Sequence, residues 1–170
     1  MNDWLDYKGS GSARAYAANV LAHAFRDNMK NTVKTDSMKF QNQCYELRSK
    51  VIKLSDDTNK LNRKMEQAHK LKSQRYDYKG NPKAESAIDS ARRNLSNEIT
   101  RLYDKLHKER KSLASEYNQL QEKRNEYEKN GIKIPEQSTR YMSEVEVMLS
   151  STEYYIDTQY KFYRDVLETL

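Results

Sequence analysis

Glu66 with His69, and Asp104 with His107, each set a carboxylate three residues ahead of an imidazole. Helices of metal-binding bundles present ligands at that spacing, so a metal centre is the first chemistry to weigh. The periodicity of the chain argues against it. Read on the heptad seam described below, Glu66 and His69 fall outside the inward positions, as do Asp104 and His107 relative to Ile99, Leu102 and Leu106. Antiparallel pairing of their helices would also leave the two pairs about two turns apart. A glycine-rich phosphate loop, an HExxH pair, paired cysteines and a nucleophile elbow are all missing from the sequence. No catalytic, metal-binding or cofactor-binding residue is therefore assigned, no cofactor is expected, and the chain reads as a non-enzyme.

Two further residue classes invite a function. Arg48, Lys50, Lys53, Lys60, Arg63, Lys64, Lys70, Lys72 and Arg75 form the densest basic run, which raises nucleic acid as a partner. On a helix these cations spread over many heptad positions, with Asp56, Asp57 and Glu66 among them. A solvated exterior is favoured over a stripe that tracks phosphates. The chain also carries 13 tyrosines against 3 phenylalanines, and Tyr154, Tyr155, Tyr160 and Tyr163 gather near the C-terminus. Tyrosine suits half-wet surfaces, whether at an interface or on the edge of a thin rod.

The elements that must carry these residues are long helices. Phe40, Cys44, Leu47, Val51, Leu54, Thr58, Leu61, Met65 and Ala68 recur at alternating steps of four and three, which is a heptad seam. The only cysteine, Cys44, lies on this seam and reads as a buried thiol, and a lone cysteine excludes an internal disulfide. Charged residues make up 33% of the chain and hydrophobic ones 36%, with 4 glycines and 2 prolines. Such a composition favours extended helices over a compact globule. Mean hydropathy of -1.13 would fit disorder if the apolar residues were scattered, but they are periodic.

The chain is predicted to be all-α: an elongated antiparallel coiled-coil hairpin with a third long helix packed on it. A flexible lead over 1–12, holding Trp4 and Leu5 as a candidate docking peptide, precedes a single elongated domain over 13–170. Helix one is expected over about 13–75, helix two over about 82–129 and helix three over about 136–170. Gly80, Asn81 and Pro82 supply a left-handed cap, an N-cap and a first helical position, and Asn130, Gly131 and Pro135 mark the second turn. A bend or break is anticipated within 28–37, where Asn31, Thr32, Thr35 and Asp36 crowd together and steps of four replace the alternation.

Core seam positions are Phe40, Cys44, Leu47, Val51, Leu54, Leu61, Met65, Ile99, Leu102 and Leu106. Pairing about the first turn leaves residues before about Met29 without a partner in helix two. That overhang includes the most apolar stretch, 13–25, with Tyr16, Val20, Leu21 and Phe25 as candidate interface. Its small residues suit close helix packing; a membrane surface is the second reading, held back by Arg14, Asn19 and His23 and by the lack of a basic polar face within the stretch. Helix three shows two apolar lines, one through Tyr141, Val145, Met148, Tyr155, Phe162 and Val166, the other through Met142, Leu149, Ile156, Tyr160, Tyr163, Leu167 and Leu170. Either it fills the groove of the hairpin, or Ile156, Tyr160, Tyr163 and Leu167 face a partner. Residues 1–80 are basic on balance and 132–170 acidic, which favours docking of helix three on the hairpin.

The function expected is that of a helical spacer in a larger assembly, with protein partners or self-association through the overhang and the C-terminal helix. In architecture the hairpin resembles stalk and chaperone-like components of bacterial type III export machines, and the alanine-rich overhang resembles helical proteins packed inside virions and ejected with the genome. The sequence shows no secretory h-region and no run of about 18 apolar residues, so a cytoplasmic or particle-enclosed location is expected. Replacing Leu54 and Leu61 together by Asp should cost about 4 kcal/mol or more, since each change leaves an unpaired carboxylate in the seam. Thermal melting followed by circular dichroism checks this, and an unchanged melt would sink the seam assignment.

Overall fold

The computed structural model describes residues 10–168, with side chains from Arg14 to Asp165 apart from Val33. The chain is an all-α hairpin with a third helix packed on it. Helix α1 runs Ser10–Asp77, α2 Pro82–Lys129 and α3 Glu136–Glu153; one π-helical stretch, Tyr154–Gln159, joins α3 without a break to α4, Tyr160–Glu168. At about 1.5 Å per residue α1 is about 100 Å long, α2 about 70 Å, and the α3–α4 rod about 50 Å.

Turn chemistry sets the two reversals. Gly80 takes φ +92°, a conformation that a side chain would strain. The Asn81 side chain then accepts a hydrogen bond from the Ala84 backbone N–H, and Pro82 occupies the first turn, where no N–H is needed. Glu85 reaches back to accept from the Gly80 N–H at 3.2 Å. At the other end α2 stops at Asn130, and Gly131 at φ +67° turns the chain toward Pro135.

One seam organises the bundle. Ser37, Phe40, Cys44, Leu47, Val51, Leu54, Thr58, Leu61, Met65 and Ala68 are all buried along α1. Helix α2 meets them antiparallel with Ile99, Leu106, Leu113 and Leu120, at steps of seven, while Leu95, Leu102, Tyr103, Tyr117 and Tyr127 are half-buried beside them. Phe40 meets the Tyr127 ring edge-on at 5.7 Å. Helix α3 runs parallel to α1 and contributes Met142, Val145 and Leu149, followed by Ile156 in the π stretch. The buried hydroxyls of Thr58 and Thr152 donate to the carbonyls of Leu54 and Leu149, so they cost the seam no orphaned donor.

Ion pairs hold the register from outside. Lys50 reaches Glu116 at 3.2 Å, Lys64 reaches Glu98 at 2.8 Å and Arg75 reaches Asp89 at 2.8 Å, all from α1 to α2; Arg48 pairs with Glu144 on α3. Four cations of the basic run thus meet carboxylates on neighbouring helices. Exposed pairs of this kind contribute at most about 1 kcal/mol each, so they select the register more than they stabilise it. The Lys64 ammonium also holds the Glu98 carboxyl below its ordinary range, mainly through its hydrogen bond.

Three expectations are corrected. Helix α1 passes through 28–37 without a break, so of the bend or break anticipated there only the break is corrected. The Thr32 and Thr35 hydroxyls donate to the carbonyls of Asn28 and Asn31, four residues back, a bonding that keeps them satisfied inside the helix and is compatible with a bend. Ser10 to Ser12, expected in a flexible joint, are already helical; Trp4 and Leu5 lie outside the described residues. The overhang is also longer than anticipated, since burial on α1 starts at Ser37 and not near Met29.

Cys44 is buried, and loss of water pushes its thiol from about 9 up to about 11. The folded state therefore holds that proton more tightly than the unfolded one. Its contribution to stability is complete below about pH 9 and is lost as pH rises toward 11. The stability difference between the wild type and Cys44→Ala, measured by urea titration, should shrink by about 2–3 kcal/mol between pH 8.5 and 11. At pH 8 the thiol should react with an aromatic disulfide only as fast as the bundle opens.

Candidate functional site

Two surfaces of the rod depart from a plain bundle. The first is the overhang of α1, where Tyr16, Val20, Leu21, Phe25 and Met29 are each at least half exposed, with Leu21 at 71% and Phe25 at 67%. No described helix runs beside them, since α2 ends at Lys129. Continuing the seam from Ser37 toward the N-terminus by the same alternation lands on Val33, Lys30, Arg26, His23, Asn19 and Tyr16, which are mostly polar. Ala18, Leu21, Ala22, Phe25 and Met29 fall at the flanking and outer positions of that register. The apolar face of the overhang is therefore turned away from the line of the bundle core. Arg26, Lys30 and Lys34, spaced by four, share a different face along the continued seam, so a basic row does emerge once the helix is followed past residue 25.

The second surface lies where the third helix changes pitch. A π stretch holds more residues per turn than an α-helix and so turns α4 about its axis relative to α3. Arg110 on α2 contacts Glu153 at 2.9 Å and Asp157 at 3.8 Å, one residue at the end of α3 and one inside the π stretch. His107 Nδ1 lies 3.3 Å from the other Asp157 oxygen, close enough to pair electrostatically but without hydrogen-bond geometry. The Tyr160 ring stacks on Tyr103, with centroids 3.7 Å apart and planes within 8°. Burial, and then the nearby Asp157 carboxylate, raise the Tyr103 phenol above its ordinary value. The cluster fastens the irregular turn to α2.

Ile156 is fully buried and Tyr163 is only 3% exposed. Both pack against the hairpin, so the expectation that they face a partner is corrected: the groove between α1 and α2 takes the whole line from Met142 to Tyr163. Tyr160 is half-buried on Tyr103, and Leu167 lies beyond the last described side chain. Tyr154, Tyr155 and Phe162 remain exposed on the outer side.

His69 sits beside the rings of Phe162 and Tyr163, whereas His107 lies beside Tyr103 and Asp157. The histidines of the two carboxylate–imidazole pairs, to which no metal is assigned, thus face different groups. Among the described residues no cluster of three or more histidine, cysteine, aspartate or glutamate side chains could hold a metal ion. No helix among them is long and apolar enough to cross a membrane. The pitch change carries no special residue type and could not be read from the sequence. A signal for its fastening did exist, since Asp157 and Glu153 stand four apart, as do Tyr103 and His107. Comparison of the chain with protein-family models, with curated proteins and with solved structures finds no match in any of the three.

Proposed function

We propose that the protein is a non-enzymatic spacer in a larger macromolecular assembly, joined to its partners chiefly through the α1 overhang. One observation carries this reading: about 27 residues of helix project beyond the bundle with an apolar face that no described helix covers. Most helical stability in proteins comes from packing an amphipathic face, and this stretch lacks such packing against the bundle. The overhang is thus built to be completed by another surface. The hairpin gives the stiff separation, and the ion-paired exterior keeps the remaining faces soluble. The small residues Ala18 and Ala22 beside Leu21 and Phe25 suit close approach of a protein helix.

Sedimentation velocity of the full chain, across concentration and at two ionic strengths, tests the reading. The expected result is a particle of high frictional ratio that associates as concentration rises. Leu21→Glu with Phe25→Glu should abolish that association and leave the melting temperature within about 2 °C of the wild type, because these side chains touch nothing in the bundle. A monomer of high frictional ratio would direct the overhang to a foreign protein. A compact particle would overturn the spacer reading.

A further inference from the structure

The apolar face of the α1 overhang has an order of its own. Ala15, Ala18, Ala22, Phe25, Met29 and Thr32 recur at alternating steps of three and four, which makes a second heptad seam, offset from the one that begins at Ser37. Its two halves differ in size. The N-terminal half holds three alanines, whereas the bulky members, Phe25 and Met29, stand in the C-terminal half, 67% and 51% exposed.

A segment that is small at one end and large at the other complements itself when reversed. Set antiparallel about a two-fold axis between His23 and Ala24, the seam places Ala22 against Phe25, Ala18 against Met29 and Ala15 against Thr32 of the second copy. Every large side chain then meets a small one, as an even spacing between two helix axes requires. The same axis sets Ser10, where α1 begins, opposite Ser37, where burial in the bundle begins. The overhang is thus as long as the pairing needs. Arg26 falls beside Asn19 of the second copy, and Lys30 and Lys34 stay on the outside. A parallel pair would stack Phe25 on Phe25 and Met29 on Met29 while the alanine layers stayed thin. It would also hold two chains of formal charge +6 side by side. The exposed parts of Leu21, Phe25 and Met29, with those of the alanines, come to roughly 500 Å² per chain, at about 200 Å² for a large apolar side chain. A pair therefore buries about 1,000 Å², the threshold of a specific interface.

We propose that the partner of the overhang is a second copy of this chain, the two joined as a two-fold antiparallel coiled coil through the seam from Ala15 to Thr32. The pairing rests on the spacer reading and names its partner. The product is a double-ended rod, with the two hairpin tips about 160 Å apart at about 1.5 Å per residue.

Distance measurement between spin labels on the full chain tests it. Met38→Cys, at an exposed position, in a Cys44→Ala background gives one label per chain, and sedimentation velocity sets the concentration at which the pair forms. Pulsed dipolar spectroscopy should then give one distance near 45 Å, since about 29 residues of helical rise separate the two labels along the pair. A distance below about 25 Å, as parallel helices would give, would overturn the proposal. Ala22→Phe, in the native background, should weaken pairing more than about tenfold by crowding Phe25 of the second copy, and adding Phe25→Ala should restore it to within about threefold. Failure of that rescue would overturn the register. Circular dichroism melting of each variant verifies that the bundle persists. Growth beyond a dimer would also count against the proposal, because a two-fold contact is closed. A chain that stays an elongated monomer at every concentration would overturn the self-pairing and leave the spacer reading standing; a compact particle would overturn both.

Discussion

Helix α1 turns one face to both of its neighbours at once, and that face is two residues in every seven. Everything else in the bundle is arranged around this constraint. Because the seam from Ser37 to Ala68 is continuous and free of charge, α2 and α3 can lie on either side of it and share it. Each full burial of a leucine, isoleucine or phenylalanine contributes about 1.5–3 kcal/mol, whereas the surrounding ion pairs contribute little individually. The seam therefore supplies the stability, and the charges choose which of the helical registers is used. Lys50 with Glu116 and Lys64 with Glu98 fix the antiparallel pairing; Arg48 with Glu144 fixes the parallel one.

The same constraint explains where function can sit. North of Ser37 the seam positions become Lys30, Arg26, His23 and Asn19, so no neighbour can be recruited along the old line. The apolar residues reappear on another side of the helix, which separates a surface for the chain's own core from a surface for something else. At the opposite end, the third helix must bring bulky tyrosines over a hairpin face that carries Arg92 and Ser96. It does so after a change of pitch fastened by Arg110, Asp157 and the Tyr103–Tyr160 stack. The two ends thus differ in chemistry, one apolar and projecting, the other packed and rich in tyrosine.

Much of this architecture was legible in the residues. The alternation from Phe40 to Ala68 located the seam, and Gly80, Asn81 and Pro82 located the reversal, because heptad spacing and turn chemistry are local signals that packing cannot easily overrule. What escaped was decided by hydrogen bonds and by three-body packing. Thr32 and Thr35 looked like helix breakers, yet their hydroxyls bond to carbonyls one turn back and leave the helix whole. Two apolar lines on the third helix left open whether Ile156 and Tyr163 fill the hairpin groove or face a partner; the groove between two helices is wide enough to bury both, which decides for the first. The pitch change at Tyr154–Gln159 uses no glycine or proline and leaves no mark on the sequence. The overhang's extent was misjudged by two turns, because the antiparallel partner of α1 ends at Lys129 and the loop after it covers nothing further back.

The central claim is that α1 is one helix with two regimes, a packed stretch from Ser37 and a projecting stretch before it. Native-state hydrogen exchange resolved along α1 tests this most directly. The account predicts protection close to the global stability of the bundle across Val51 to Met65 and exchange orders of magnitude faster across Arg14 to Lys30, where opening requires no loss of core contacts. Equal protection of the two stretches in a monomeric sample would contradict it, since the overhang would then have to be packed against the rest of the chain.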